Sequence, residues 1–394
     1  MKKLLLATAA GALLAGAASA EDVKLGISLG FTGPLESMAP GMASGAELAM
    51  KEVTDSGLLL DGSTVTAVQG DSTCIDAAAA TATVERLITA EGVKGIVGGM
   101  CSGEAIASLQ NVAVPNGVVM ISPSATSPAL STIEDNGLFF RTSPSDARQG
   151  EVMAEIMMEK GIQNAAITYT NNDYGKGLAD AFASSFQEKG GTVTVNAAHD
   201  DGKADYSAEV AALAAAGGDA LVVVGYVDQG GSGVVRAALD TGAFDTFVFP
   251  DGMVGQALVD NFGSEIDGSF GQNPAAEGEG REKFLAMAEE AGFDGTSAYS
   301  AEAYDAAALM MLSMAAAKSS DPNVWKNNVM DVANEPGEKI LPGELAKGLE
   351  ILNGGGDIDY VGASSIEMVG AGESAGVYRE VSFDNGEMTV VGYR

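Results

Sequence analysis

The chain has 394 residues, 46% of them hydrophobic and 19% charged, with a formal net charge of −33 at pH 7. That length and composition allow a large core and about two domains, while the acidity excludes nucleic acid and anionic lipid surfaces as partners. The 54 acidic residues are spread along the chain rather than gathered in a tail, a pattern that reads as solubility, in a salty medium for instance, ahead of a cation-binding role.

The first element is a leader. Lys2 and Lys3 precede the apolar run LLLATAAGALLAGAA, and Ala18-Ser19-Ala20 follows as an A-x-A cleavage site. This is the pattern of a secretory signal peptide over residues 1–20. The run is short of the ~20 apolar residues that a membrane anchor needs, and no later segment is apolar enough to span. The mature chain is therefore expected to start at Glu21, outside the cytoplasm. Losing Lys2 and Lys3 takes its formal charge from −33 to −35. An oxidising compartment would let the two cysteines of the sequence, Cys74 and Cys101, pair.

Strands and helices then alternate. VKLGISLGF (23–31) is strand-like, and GMASGAELAMKEV (41–53) has helical spacing. TVTAVQGD (64–71) precedes a helical stretch over 76–92. KGIVGGM is followed by a helix from about Gly103, GVVMISPSA by a Ser/Pro turn, and LFFRTSP (138–144) is a further strand. A second set follows: a helix over 146–160, strand NAAITYTN (164–171), helix YGKGLADAFASSFQEKG, strand TVTVNAA and a helix over 206–216. Strand ALVVVGYV (220–227), a helix over 231–240 and strand TFVFPDG complete it. Residues 281–352 read as mostly helical, with short strands near 359–368 and 376–392. The Gly-rich NGGGD (353–357) is a turn or linker. Continuous apolar runs alternating with helices predict parallel sheets covered on both faces, and two such sets predict two doubly wound lobes.

Several chemistries lack their parts. The single histidine, His199, sits in AAHDDGK, which reads as a solvated turn, and no G-x-S-x-G elbow offers a nucleophile. GGSG (230–233) lacks the third glycine of a dinucleotide fingerprint, and no phosphate loop is present. Neither H-E-x-x-H nor a cysteine quartet suggests zinc. No enzyme, cofactor or metal is expected.

Binding chemistry instead gathers at strand ends, where doubly wound sheets take their ligands. LGFTGP (29–34), MCSGE (100–104) and SPSATSP (122–128) exit strands of the first lobe. Cys101-Ser102-Gly103 and Ser124-Ala125-Thr126 offer hydroxyls and backbone N–H groups that suit a carboxylate; each also suits a simple helix cap. The second lobe presents Tyr174 in TNNDYGKG, Tyr226 in VVVGYVDQ and Asp251 in VFPDGM. Two rings and a carboxylate can receive an ammonium, although each Tyr also suits packing and Asp251 a β-turn. Donors on one lobe and an acceptor on the other match a zwitterion held between lobes.

These stretches, with GDSTCIDAAAA, FFRTSPSDARQG and GYVDQGG, resemble the periplasmic binding proteins of branched-chain amino acid ABC transporters, of the leucine/isoleucine/valine-binding type. The resemblance spans nearly the whole mature chain. It implies a type I periplasmic-binding fold with three hinge crossovers, lobe I at 21–143 and 275–376, and lobe II at 144–274 and 377–394. Ser102 and Thr126 would then bind the ligand's α-carboxylate with backbone help. Ser124 would offer its carbonyl to the ammonium, Tyr174 and Tyr226 would close over the ligand, and Asp251 would take the ammonium. The family has the longer Glu at Asp251, and an aromatic residue where Met38 aligns. It also implies a Cys74–Cys101 disulfide, with both cysteines following strands read as neighbours. The expected protein is a periplasmic monomer that passes an apolar amino acid to an inner-membrane ABC permease. Rival readings are the same fold with an aromatic or other small carboxylate or an amide, a secreted hydrolase, and a sensor domain.

Overall fold

The computed structural model of the chain describes residues 20–394, so the leader read at 1–20 lies outside the described residues apart from Ala20. Two seven-stranded sheets organise the chain. The first takes β1 (Asp22–Leu29), β2 (Thr64–Asp71), β3 (Ile96–Gly98), β4 (Met120–Ser122) and β5 (Phe139–Arg141). The second takes β6 (Asn164–Thr170), β7 (Thr192–His199), β8 (Ala220–Val224), β9 (Phe247–Phe249) and β10 (Phe270–Pro274). These ten strands are parallel within each sheet and run in the same spatial order, 5-4-3-1-2 and 10-9-8-6-7. Strands such as β8, ALVVV, are buried throughout, as a sheet with helices on both faces requires. In each sheet the strand order reverses beside the first strand, which opens a crevice at the C-terminal ends of β1 and β3, and again of β6 and β8.

The remaining strands close the sheets. β11 (Glu338–Ile340) and β12 (Ile358–Tyr360) form a separate parallel ribbon. β13 (Met368–Val369) and β14 (Glu373–Ser374) extend the first sheet beyond β5. β15 (Tyr378–Asp384) and β16 (Glu387–Tyr393) form an antiparallel hairpin that extends the second sheet beyond β10. The chain thus passes between the sheets three times: after β5, after β10 and after β14. Helices fill most of 281–352, but β11 interrupts them. The stretch read as one helix over 76–92 is an α-helix, Ala77–Arg86, capped by the Asp76 carboxylate, that widens into a π turn at Leu87–Glu91.

The helix Ser300–Ala317 is buried from Ser300 to Ala315. It packs on the helix Ala39–Ser56, where Gly45 permits the approach: a Cβ there would lie 2.1 Å from the Ser300 carbonyl oxygen. This contact holds the residue ahead of the buried helix, Tyr299, against the crevice. Among the described residues no helix is long and apolar enough to cross a membrane.

Buried ionisable groups set a pH dependence. Burial raises the Glu104 and Glu302 carboxyls to about 7 and Asp305 to about 6, despite hydrogen bonds to Glu104 and Asp305 that oppose the shift. Burial lowers His199 to about 4. The three carboxyls take protons more readily in the folded chain than in the unfolded one. Their contribution is full below the ordinary carboxylate range and is lost as pH rises through 6 to 7. His199 acts oppositely, losing its contribution as pH falls from its ordinary value toward 4. Three groups outweigh one, so we expect the melting temperature to rise on going from about pH 8 to about pH 5, by on the order of 2 kcal/mol in stability. Thermal scans across that range check this; a steady fall on acidification would contradict it.

Candidate functional site

On the first sheet, the exits of β3 and β4 bring two short polar turns together. Ser122 Oγ donates to the Gly99 carbonyl (2.7 Å) and accepts from the Ala125 amide (2.9 Å). Ser124 Oγ donates to the Met100 carbonyl (2.7 Å). Ser102 opens the helix Ser102–Ser108, and its Oγ accepts from the Ser127 amide (3.0 Å), which leaves the hydroxyl proton for another acceptor. Beneath them the buried Glu104 carboxylate accepts from the Met100 (2.6 Å) and Cys101 (3.1 Å) amides.

Cys74 and Cys101 form a disulfide with Cα atoms 5.1 Å apart, within the usual range. Their strands are not neighbours, as the sequence suggested: β1 lies between β2 and β3. The bridge forms because the loop after β2 folds back over the end of β1. The Ser72 amide bonds to the Leu29 carbonyl (2.9 Å), and Thr73 and Cys74 adopt left-handed conformations (φ 62° and 70°). The reversal sets Cys74 over the end of β1, where a Cβ at Gly30 would stand 3.1 Å from the Cys74 Cβ, about one strand spacing from β3.

On the second sheet, Asn172 caps the helix Asp173–Glu188 by accepting from the Gly175 amide (2.9 Å), which places Tyr174 in the first turn. The Tyr174 and Tyr226 rings stack at 5.3 Å between centroids, and Asn172 Nδ2 donates to the Tyr226 hydroxyl (3.2 Å). Asp251, beyond β9, accepts from the Tyr174 hydroxyl (2.8 Å) and Gln149 Nε2 (2.9 Å) on Oδ1, and from the Tyr299 hydroxyl (2.5 Å) on Oδ2. All three side-chain donors are neutral. Burial raises the Asp251 pKa, and the tyrosine and Gln149 bonds pull against that shift.

Ser102, Ser124, Tyr174, Tyr226 and Asp251 line one narrow cavity between the sheets, of about 10 Å³. Leu35, Met38 and Met100 add an apolar wall. That leaves room for about one water molecule. A larger solute therefore needs the two sides to separate. Direct bonds join those sides: the Asp228 amide to the Pro34 carbonyl (3.1 Å), the Ser37 amide to Asp228 Oδ2 (2.9 Å), and Tyr299 to Asp251. Gly103 faces Asp173 so closely that a Cβ would stand 3.0 Å from its carboxylate.

Two residues read from the sequence lie off the cavity. Ala125 packs in the core with Ile96 and Phe139. Its amide bonds to Ser122 Oγ, and its carbonyl accepts from Arg141 (3.1 Å). Thr126 is fully buried beside Asp146, and its hydroxyl has no hydrogen-bond partner. Conversely, Tyr299 and Gln149 contact Asp251 without having been singled out. Neither carries a motif, and Tyr299 reaches the site from a helix of the first-sheet side, far along the chain.

A family model described as periplasmic binding protein matches residues 22–329. Leu/Ile/Val-binding protein homolog 1 of Brucella melitensis is 31% identical over 361 residues, 87% of this chain and 94% of that protein. The solved leucine-binding protein LivK of Thermotoga maritima is similar with a TM-score of 0.79 and 22% identity, over 94% of this chain and 98% of that one. A solute-binding protein of an R. palustris ABC transporter, solved with 4-hydroxybenzoate, gives 0.75 and 18% over 95% and 97%. With two doubly wound lobes facing each other across a shared cavity, and with these similarities over most of its length, the chain belongs to the periplasmic binding protein family, in its type I fold.

Proposed function

We propose that the protein captures a small apolar amino acid in the periplasm and delivers it, as a monomer, to an inner-membrane ABC permease. The observation that carries this reading is Asp251. It is a buried carboxylate that lines the interlobe cavity from the second-sheet side, held only by neutral side-chain donors, while the Ser102 hydroxyl lines it from the first-sheet side. An ammonium completes the first charge, and a carboxylate uses the Ser102 proton and the amides that open its helix. Ser124 lines the cavity beside Ser102. Leu35, Met38 and Met100 suit an aliphatic side chain, and methionine adapts to several shapes. The Brucella relative's name and that of LivK support a branched-chain ligand.

Capture works by population shift. Lobe I (21–143 and 275–376) and lobe II (144–274 and 377–394) close about the three crossings, and a ligand touching both lobes favours the closed state. Residues 1–20 serve as the export signal. The second reading, an aromatic carboxylate, draws on the stacked Tyr174–Tyr226 pair and the R. palustris neighbour; Asp251 opposes it, because an unpaired buried carboxylate repels an acid.

A thermal-shift screen of protein unfolded and refolded to strip carried-over ligand tests the two readings. Amino acids with aliphatic side chains are expected to raise the melting temperature by mass action. A shift with benzoates alone would overturn the amino-acid reading. A second expectation concerns closure. The Asp228 side chain accepts from the Ser37 amide across the lobe interface, so Asp228→Ala, which keeps the backbone bond to Pro34, is expected to speed ligand dissociation about fivefold, the equivalent of ~1 kcal/mol. Stopped-flow release kinetics check it; an unchanged rate would remove Asp228 from closure.

A further inference from the structure

Asp146 begins the helix Asp146–Glu159, two residues after Pro144 at the first lobe crossing. Its side chain is fully buried, and neither carboxylate oxygen has a hydrogen-bond partner. It faces Asp251, whose partner Gln149 lies one turn further along the same helix. The phenols of Tyr174, Tyr299 and Tyr378 surround the two carboxylates, with Tyr226 beyond Asp251. The Thr126 hydroxyl lies beside Asp146, outside hydrogen-bond geometry. Buried Gln272 Nε2, near Gln149, also lacks an acceptor. Arg141 is the cation that faces Asp146, but its guanidinium is committed to Glu373, Ser131 and the Ala125 and Ser127 carbonyls. Arg148 faces Tyr378 from the helix itself.

We propose that Asp146 and Asp251 share one proton, which the ligand's ammonium displaces on binding. The inference rests on the amino-acid reading above. Two buried carboxylates facing each other cannot both ionise unless a cation is free to pair with them, and Arg141 is committed to Glu373, so the pair holds a proton. Burial raises both groups, and Asp251 raises Asp146 further. The surrounding phenols are raised too and stay neutral, so they supply hydrogen bonds but no counter-charge. When the cationic ammonium arrives, the carboxyl O–H bond breaks and its proton leaves to water. The pair, now doubly negative, faces one positive charge. An acid lacking the ammonium cannot drive this exchange, so the pair selects amino acids over their deaminated analogues.

The proton competes with the ligand, so affinity weakens as pH falls through the pair's titration, by up to about tenfold per pH unit. Glu104 lies under the opposite end and is raised to about 7, so its own proton exchange must be separated. The test is calorimetric titration of refolded protein with L-leucine, L-isoleucine, L-valine and L-alanine, in phosphate and in Tris, from about pH 5 to about pH 9. Wild type is expected to release close to one proton per ligand relative to Asp146→Asn. In that variant the acid-side loss of affinity flattens. Amino-acid binding with the same proton count in wild type and Asp146→Asn at every pH overturns the inference and leaves the amino-acid reading standing. Binding of none of the four overturns that reading, and the inference with it. If Asp146→Asn does not fold, Glu104→Gln decides: proton release with weakening on acidification that persists in this variant supports the pair, and its loss there overturns it.

Discussion

Asp251→Ala is expected to weaken amino-acid binding by about 10²–10³-fold or more, while leaving the melting temperature of the ligand-free protein within a few degrees of wild type. Removing one partner of a buried, hydrogen-bonded charge pair costs about 2–5 kcal/mol, since the other charge is left uncompensated. In the ligand complex that other charge is the ammonium. In the free protein the same substitution has opposing consequences. Tyr174, Tyr299 and Gln149 lose their acceptor, which destabilises. Asp146 loses a facing carboxylate, which relieves the desolvated pair. Isothermal titration beside a thermal scan separates binding from folding. Unchanged affinity would remove Asp251 from the site, and a collapse in melting temperature would make its role structural.

The second large effect is expected at the disulfide. Cys74 and Cys101 are 27 positions apart, and closing such a loop contributes ~3–4 kcal/mol from the entropy of the unfolded chain. Cys74→Ser with Cys101→Ser is therefore expected to lower the melting temperature by roughly 5 °C for a chain of this size. Reductant should lower wild type to the same value and leave the double variant alone. The bridge also ties the loop after β2 to the residue just before Ser102. Ligand affinity should therefore fall severalfold in the variant, because the carboxylate-binding turn must be ordered on binding. A melting temperature equal to wild type would deny the bridge a stabilising role.

The two-lobe fold was legible because parallel strands buried on both faces read as unbroken apolar runs, ALVVV being the plainest. Ser102, Ser124, Tyr174, Tyr226 and Asp251 were legible for a related reason. Each lies at or just beyond a strand's C-terminal end, where chain order alone marks the crevice. Lateral strand order was not legible. No local pattern says that β1 stands between β2 and β3, and so the cysteines were read as following neighbouring strands. Tyr299 was hidden by a different cause. AYSAEAYDA carries helical periodicity, whereas Tyr299 itself turns left-handed (φ 62°) ahead of the helix and reaches across to the other lobe. Gln149 and Asp146 sit on a helix that looked like ordinary packing. Their placement beside Asp251 depends on burial against β9 and β10 partners far along the chain, a tertiary fact with no local signature. Ala125 and Thr126 show the converse limit: a motif places a turn, but rotation of the backbone decides which of its side chains meet the cavity.

The most direct test of the zwitterion account is a paired titration of refolded mature protein with L-leucine and with 4-methylpentanoate, which keeps the carboxylate and the side chain but lacks the ammonium. The account predicts binding of L-leucine and at least about a hundredfold weaker binding of the acid, since Asp251 would face nothing but a repelled anion. Equal or tighter binding of 4-methylpentanoate would contradict it, and would make the cavity a carboxylate site in which Asp251 holds its own proton.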